Sequence, residues 1–438
     1  MLSNHLPTDY QNFIALSRYA RWKEDDQRRE TWGETVTRYF DYMTTHLKKN
    51  HSYKLDTKLR NELEEAVLNQ DIMPSMRALM TSGPALDRCH VGAFNCSYLA
   101  VDTPRAFDET MYILMCGTGV GFSVERHSIE KLPIVNEAMH NTDTVIKVGD
   151  SRPGWAGSLR ELISLLYAGQ IPKWDVSAVR PAGERLKTFG GRASGPAPLE
   201  ELFQFVIQKF KGAAGRRLYP IECHDIMCKI GEVVVVGGVR RSALISLSNL
   251  NDDQMAHAKS GMWWENEGQR ALANNSVAYK TKPEMGTFMR EWVSLYESKS
   301  GERGIFNRES AKKQAAKNGR RDVEHDFGCN PCSEIILRPY QFCNLSEVVA
   351  RAGDTEQSLA TKVGLATILG TFQSTLTDFK YLRKVWQKNT EEERLLGVSL
   401  TGIMDNALLS GNSATLGMNI GATLSLLRDE AVKTNEVL

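Results

Sequence analysis

The sequence predicts an α/β protein. Three observations carry that class. Strand-length runs rich in β-branched residues occur at 232–236, 275–279 and 333–337; amphipathic helical stretches alternate with them; and 42% hydrophobic with 24% charged residues over 438 positions is an ordinary globular composition.

Taken in order, residues 10–70 read as helical, with Phe13, Leu16, Tyr19 and Trp22 at three-to-four spacing and Asp56 placed to cap a second helix. This is a polar-faced helical region over 1–70, followed by the main domain over 71–438. Small residues, Gly, Pro and Cys dominate 71–124. Helices are expected at 104–115 and 155–168, the latter behind a Gly149-Asp-Ser-Arg-Pro-Gly turn, and again at 199–211, 282–297 and 359–376. The stretch Arg180 to Pro196 is too rich in Gly and Arg for a regular element. The valines at 233–236 suit a fully buried strand.

The 54 basic and 53 acidic residues nearly cancel, which argues against sequence-independent nucleic-acid binding. No apolar run approaches the ~18 residues of a spanning helix, and the N-terminus lacks a signal-peptide pattern, so a cytoplasmic location is expected (host cytoplasm if phage-encoded). In that compartment the eight cysteines are thiols, metal ligands or redox groups rather than a disulfide framework.

The most informative stretch is Cys329-Asn-Pro-Cys332-Ser-Glu334, followed by Cys343. A thiol and a carboxylate two residues apart on an extended chain can face one substrate. Packed core thiols are the competing reading. A zinc knuckle is weaker, because no second Cys-x-x-Cys and no His-x-His is nearby. Cys223 and Cys228 read as core thiols, and Cys89 and Cys116 carry no assigned role.

These residues resemble the active-site finger loop of ribonucleotide reductase catalytic subunits. Met73-Pro-Ser-Met-Arg-Ala-Leu-Met-Thr81, Asn95-Cys96-Ser97, Cys116-Gly-Thr-Gly-Val-Gly-Phe122, Arg180 through Pro196 and Gly238-Val-Arg-Arg-Ser-Ala243 fall in the family's order, over about residues 70–410. The resemblance implies a ten-stranded α/β barrel of the ribonucleotide reductase and glycyl-radical type, incomplete at the C-terminus, behind an N-terminal helical cap. It implies reduction of ribonucleotides by a thiyl radical on Cys332, with Glu334 as general base, Asn330 holding the sugar hydroxyls, and Cys96 with Cys343 as the dithiol that ends as a disulfide. Thr81, Ser97, Gly119 and Gly121 would contact substrate. A dNTP or ATP effector would meet Asp102 and Arg126, and Lys187 and Arg192 would lie in the loop reporting effector identity.

The same resemblance implies a homodimer, in which the helices at 104–115 and 155–168 would form a four-helix contact if they pair with their copies, packing within one chain being the alternative, and a thioredoxin- or glutaredoxin-like reductant. No metal is expected on this chain. For the radical source, the wording of 180–196 is similar to adenosylcobalamin-dependent members, yet the Cys96 to Cys332 interval looks short and without their insertion. The expectation is therefore a radical supplied by a separate metal-bearing small subunit, with adenosylcobalamin as the alternative. The family's phosphate-binding turn and tail cysteines are not found, so an incomplete, non-catalytic assembly subunit is a further alternative. The N-terminal segment looks too short for an ATP-binding activity domain.

Overall fold

The computed structural model describes residues 6–184, 192–236, 243–411 and 419–438. They fall into two compact units, one of 1–95, 343–380 and 390–438, the other of 96–342 and 381–389. No helix is long and apolar enough to cross a membrane among the described residues.

In the first unit, α1 (Trp32–His51) begins with a capping box: Thr31 and Glu34 satisfy each other's backbone N–H groups. Asp56 caps α2 (Thr57–Leu68) as expected, accepting from the backbone of Lys58 and Leu59. A short hairpin, Trp22–Lys23 with Arg28–Arg29, interrupts the expected helical run. Strand β1 (Ile72–Pro74) leads into α3 (Met76–Thr81). The arginines of the cap close α3 at its C-terminal end: Arg21 donates to Thr81 O at 2.7 Å and Arg38 to Ser82 O at 2.9 Å.

The second unit is built on β2 (Cys96–Ala100), α4 (Arg105–Met115), β3 (Gly119–Ser123), β4 (His140–Lys147), α5 (Arg152–Tyr167), β5 (Gln170–Asp175), α6 (Ala197–Gly212), α7 (Pro220–Val236), β6 (Leu244–Ser248), β7 (Ala273–Tyr279), α8 (Met285–Ser298), β8 (Gly304–Asn307), α9 (Arg308–Ala316), β9 (Gly328–Cys329), β10 (Ile336–Leu337) and β11 (Gln341–Phe342). Its main sheet has the order β8-β7-β6-β3-β2-β11, parallel except for β11. Helical crossovers between parallel strands give the α/β class. β4 and β5 form a separate parallel pair.

Returning to the first unit, β12 (Leu345–Val349) lies between β1 and β13 (Gly397–Thr401), flanked by α10 (Glu356–Ser374) and α11 (Ile420–Val437). The sheet of this unit thus holds one parallel pair, β12 with β13, and the antiparallel neighbour β1.

Three expectations are corrected here. The valines at 233–236 end helix α7 instead of forming a strand. Valine in a helix costs only about 0.5 kcal/mol relative to alanine, whereas burying such a side chain is worth about 1.5 kcal/mol or more. Val233 and Val234 are buried, so tertiary burial overrides propensity. The run 333–337 contributes only the two residues of β10; the rest is a turn in which Ser333 takes a left-handed conformation and donates to Asn330 O at 2.8 Å. Finally, α4 packs inside its own unit, against α5 and α7, with every residue from Ala106 to Met115 buried. Its carboxylates are paired there: Tyr381 donates to Asp108 at 2.8 Å, and Arg383 and Trp386 donate to Glu109 at 2.9 and 3.0 Å. That leaves α4 no face for a four-helix contact between two copies.

Two buried histidines make the first unit sensitive to acid. His46 accepts from Asn50 at Nδ1 (2.9 Å) and bonds Thr375 through Nε2 (3.0 Å), while His90 accepts from the backbone N–H of Asp378 (2.9 Å). Burial holds them down to about 4 and about 3, respectively. Between those values and about 6.5 the unfolded chain binds more protons than the folded one, so stability falls as pH is lowered. Acidification from pH 7 to pH 5 is expected to cost roughly 2 kcal/mol per histidine. Thermal melts across that range check this, and the His46→Gln/His90→Gln variant should show the flatter profile.

Candidate active site

The site grows from the pairing of β2 with β3. Cys96 is in register with Gly119 and Tyr98 with Gly121, so by the two-residue alternation of strands all four belong to one face. Across that face runs the segment 327–332. A Cβ on Gly121 would stand 2.0 Å from the carbonyl oxygen of Cys329, and one on Gly119 would stand 3.0 Å from Cγ of Pro331. Chain numbers fall on this segment as they rise on β3, so it is a finger lying antiparallel over the strand. One residue earlier, Gly328 sits on the ring of Tyr98, where a Cβ would come within 2.0 Å of Cζ. Tyr98 is itself fully buried, and burial raises its phenol well above the usual range, so the ring is a neutral floor.

The finger ends in Cys332 at the Cys96 edge of the face. Cys332 is exposed and Cys96 half-buried. Desolvation is the largest influence on the Cys332 thiol, followed by Cys96 and Glu334, and all three push it above the ordinary cysteine value. Cys332 is therefore a protonated thiol at neutral pH. Glu334 is exposed beside it. Asn330 is fully buried; its Oδ1 accepts from the backbone N–H of Ile335 at 2.9 Å, and its Nδ2 has no partner among the described residues. A buried amide donor without a partner costs stability unless a ligand satisfies it. Cys329, by contrast, is buried and pushed up to about 12 mainly by desolvation, the mark of a packed thiol.

The structure thus brings Cys96, Asn330, Cys332, Glu334, Gly119 and Gly121 together. The glycines have a role the sequence did not disclose, clearing the path of the finger. Gly328 and Tyr98 were missed; the signal was the glycine directly before Cys329 and the tyrosine two residues past Cys96. Cys343 is buried and belongs to the first unit, whose second segment it opens. Thr81, also in that unit, is buried, with its hydroxyl donating to Arg77 O at 2.6 Å. The Ser97 hydroxyl is committed to the sheet, donating to Gly119 O at 3.0 Å.

Of the effector residues, Asp102 accepts from the Tyr340 phenol, Arg126 donates through its guanidinium to Asn251 O at 3.2 Å, and Arg192 donates to Gly183 O at 2.8 Å. Lys187 lies outside the described residues, as does most of the motif at 238–243. Cys116 accepts from Arg152 at 3.3 Å, and Cys223 is buried in α7.

The family model described as ribonucleotide reductase alpha domain matches residues 3–84, and that of the B12-dependent ribonucleotide reductase insertion domain matches residues 123–209. The adenosylcobalamin-dependent ribonucleoside-triphosphate reductase of Lacticaseibacillus paracasei is 29% identical over 88% of this chain and 60% of its own length; that of Lactobacillus leichmannii is 30% identical over 91% and 62%. The chain therefore spans about three fifths of the curated relatives it matches. A crystal structure of a B12-dependent (class II) ribonucleotide reductase superposes with a TM-score of 0.76 at 26% identity, covering 92% of this chain and 63% of that one. The Actinobacillus ureae class Id alpha subunit shares the fold alone, with a TM-score of 0.54 at 12% identity over 98% of this chain and 66% of that one.

These matches correct the expected radical source. The interval judged to lack an insertion contains one, at 123–209, and the relatives named above are adenosylcobalamin-dependent. The expectation of a separate metal-bearing small subunit is overturned. The alpha-domain match, the insertion-domain match and the class II superposition agree in making this chain similar to the ribonucleotide reductases, and among them to the B12-dependent members.

Proposed function

We propose that the protein reduces ribonucleoside triphosphates to 2′-deoxyribonucleotides by radical chemistry on Cys332, with adenosylcobalamin as the radical source. The observation that carries this reading is the finger tip: a protonated, exposed thiol next to Cys96, with an unpartnered buried amide donor two residues away.

When bound, the cofactor supplies a carbon-centred radical able to take a hydrogen atom from a thiol. The residues fit that chemistry, because the Cys332 sulfur carries its hydrogen at neutral pH and faces outward. Cys332 then abstracts the 3′-hydrogen of the ribose, and Glu334 accepts the 3′-hydroxyl proton. The Asn330 amide donates to a sugar hydroxyl and so acquires the partner it lacks. Cys96 and Cys343 supply two electrons and two protons: the 2′-oxygen leaves as water, the two thiols become a disulfide, and the 3′-hydrogen returns from Cys332. An external dithiol must restore the pair after each turnover.

The test is to incubate the purified chain with adenosylcobalamin, a ribonucleoside triphosphate and dithiothreitol, with no second subunit, and to measure deoxynucleotide. Product under these conditions is the expected result. Product only on addition of a metal-bearing subunit, or only from diphosphates, would overturn the reading.

A further inference from the structure

The root of the finger is held by buried charges that neither the motifs nor the proposed chemistry uses. Glu125 lies two residues past β3 and is fully buried; Arg308 opens α9 at the end of β8 and is 2% exposed. The Arg308 guanidinium donates to both oxygens of Glu125 at 2.9 and 2.6 Å. Its Nε donates to the carbonyl of Phe327 at 2.6 Å and lies 3.2 Å from Asp326. Asp326 is bonded to His127, whose other ring nitrogen is 3.0 Å from Lys280 Nζ. Burial opposes ionisation of Asp326, but His127 and Arg308 outweigh it and hold the carboxyl down to about 2.

Glu125, His127 and Asp326 have the mutual spacing of metal ligands. The positive charge is already there, in Arg308 and Lys280, so a divalent cation would meet repulsion where it needs donors. What this cluster does is tie a backbone carbonyl to the sheet.

We propose that Arg308 is the positioning residue of the finger, setting where Cys332 stands relative to Cys96. The contacts of Gly328 with Tyr98, of Cys329 with Gly121 and of Pro331 with Gly119 are van der Waals contacts, which oppose lifting but not sliding along β3. Charge-assisted hydrogen bonds are directional. The Arg308 fork, bonded on one side to Glu125 beyond β3 and on the other to Phe327 O, fixes the slide. Only four residues lie between Phe327 and Cys332, and the chain there is packed, so a shift at the root reaches the thiol. A lysine at 308 has a single nitrogen and cannot serve both partners in that geometry.

The consequence for turnover rests on the function proposed above; the consequence for the finger does not. Three variants, Arg308→Lys, Arg308→Met and the uncharged pair Arg308→Met/Glu125→Met, are compared by amide hydrogen exchange and steady-state kinetics. The single Met variant strands a buried carboxylate and is a control for instability; the double variant removes both charges and keeps the fold. In Arg308→Lys and in the double variant, exchange over 327–333 should rise about 10-fold while β6 and β7 stay as in wild type. Their kcat should fall about 10- to 100-fold with KM within about threefold, since positioning acts on the reacting geometry.

Finger exchange and kcat unchanged in the double variant would overturn the proposal. So would exchange that rises equally throughout the sheet, because Arg308 would then be a general stabiliser. Full rescue by lysine would also overturn it. If the wild-type chain forms no deoxynucleotide, the exchange data, which need neither cofactor nor substrate, still decide whether Arg308 holds the finger.

Discussion

Serine in place of Cys332 is expected to abolish deoxynucleotide formation while leaving nucleotide affinity within about threefold of wild type. The two side chains are nearly isosteric, and Cys332 is exposed at the finger tip, so the fold loses nothing. What changes is the bond to be broken. An O–H bond is much stronger than an S–H bond, so a carbon radical takes a hydrogen atom readily from a thiol and with difficulty from a hydroxyl. A barrier raised by only about 5.5 kcal/mol already slows the step about 10⁴-fold. The interaction is made in the transition state and not in ground-state binding, so the loss belongs in kcat. Product formation under single-turnover conditions and equilibrium nucleotide binding, measured side by side, check this. Turnover by Cys332→Ser within tenfold of wild type would remove Cys332 from the chemistry.

Alanine at position 121 should be nearly as damaging for a steric reason. Its Cβ would be placed 2.0 Å from the carbonyl oxygen of Cys329, and both atoms are fixed to backbone, one on β3 and one on the finger. No rotamer change relieves the clash. The finger must lift from the strand by more than 1 Å, and misplacements of that size cost about 10²-fold in rate. Gly119→Ala is the internal control. There the nearest atoms are Cγ of Pro331 at 3.0 Å and Ala243 O at 3.3 Å, contacts that a few tenths of an ångström relieve. We expect kcat for Gly121→Ala about 100-fold below wild type, and for Gly119→Ala a loss of only about threefold. Equal activity of the two variants would show that the finger does not lie on β3 as described.

The parts of the site that could be read from the chain are those in which chemistry is carried by neighbours in sequence. Asn330, Cys332 and Glu334 sit within five residues, so their proximity is covalent, and the structure adds the unpartnered amide of Asn330 and the raised thiol. Helix ends marked by a cap were legible for the same local reason: Asp56 and Ser151 each accept from the first turn of the helix that follows. The valines before Val236 were not legible, because a short apolar run has the same pattern as a buried strand or a buried helix end. The expected dimer helix, α4, was amphipathic by spacing, yet its polar positions Asp108 and Glu109 are buried against Tyr381, Arg383 and Trp386, some 270 positions away. No local rule reports a partner at that distance.

The radical source shows the same limit. The interval from Cys96 to Cys332 looks short in residue count, but residues 123–209 match an insertion domain, and a segment's membership in a module is not a property of its length.

By itself, the sequence determined the α/β class, the thiol-bearing motif and the order of motifs along the chain, because periodicity and covalent spacing are local quantities. Only the tertiary structure decided that the finger lies on β3, that Gly119, Gly121 and Gly328 exist to let it lie there, and that Arg308 and Glu125 hold its root. Those are contacts between residues far apart in the chain, and they form because a sheet presents alternate side chains on one face and the low-dielectric interior makes a buried ion pair directional and strong.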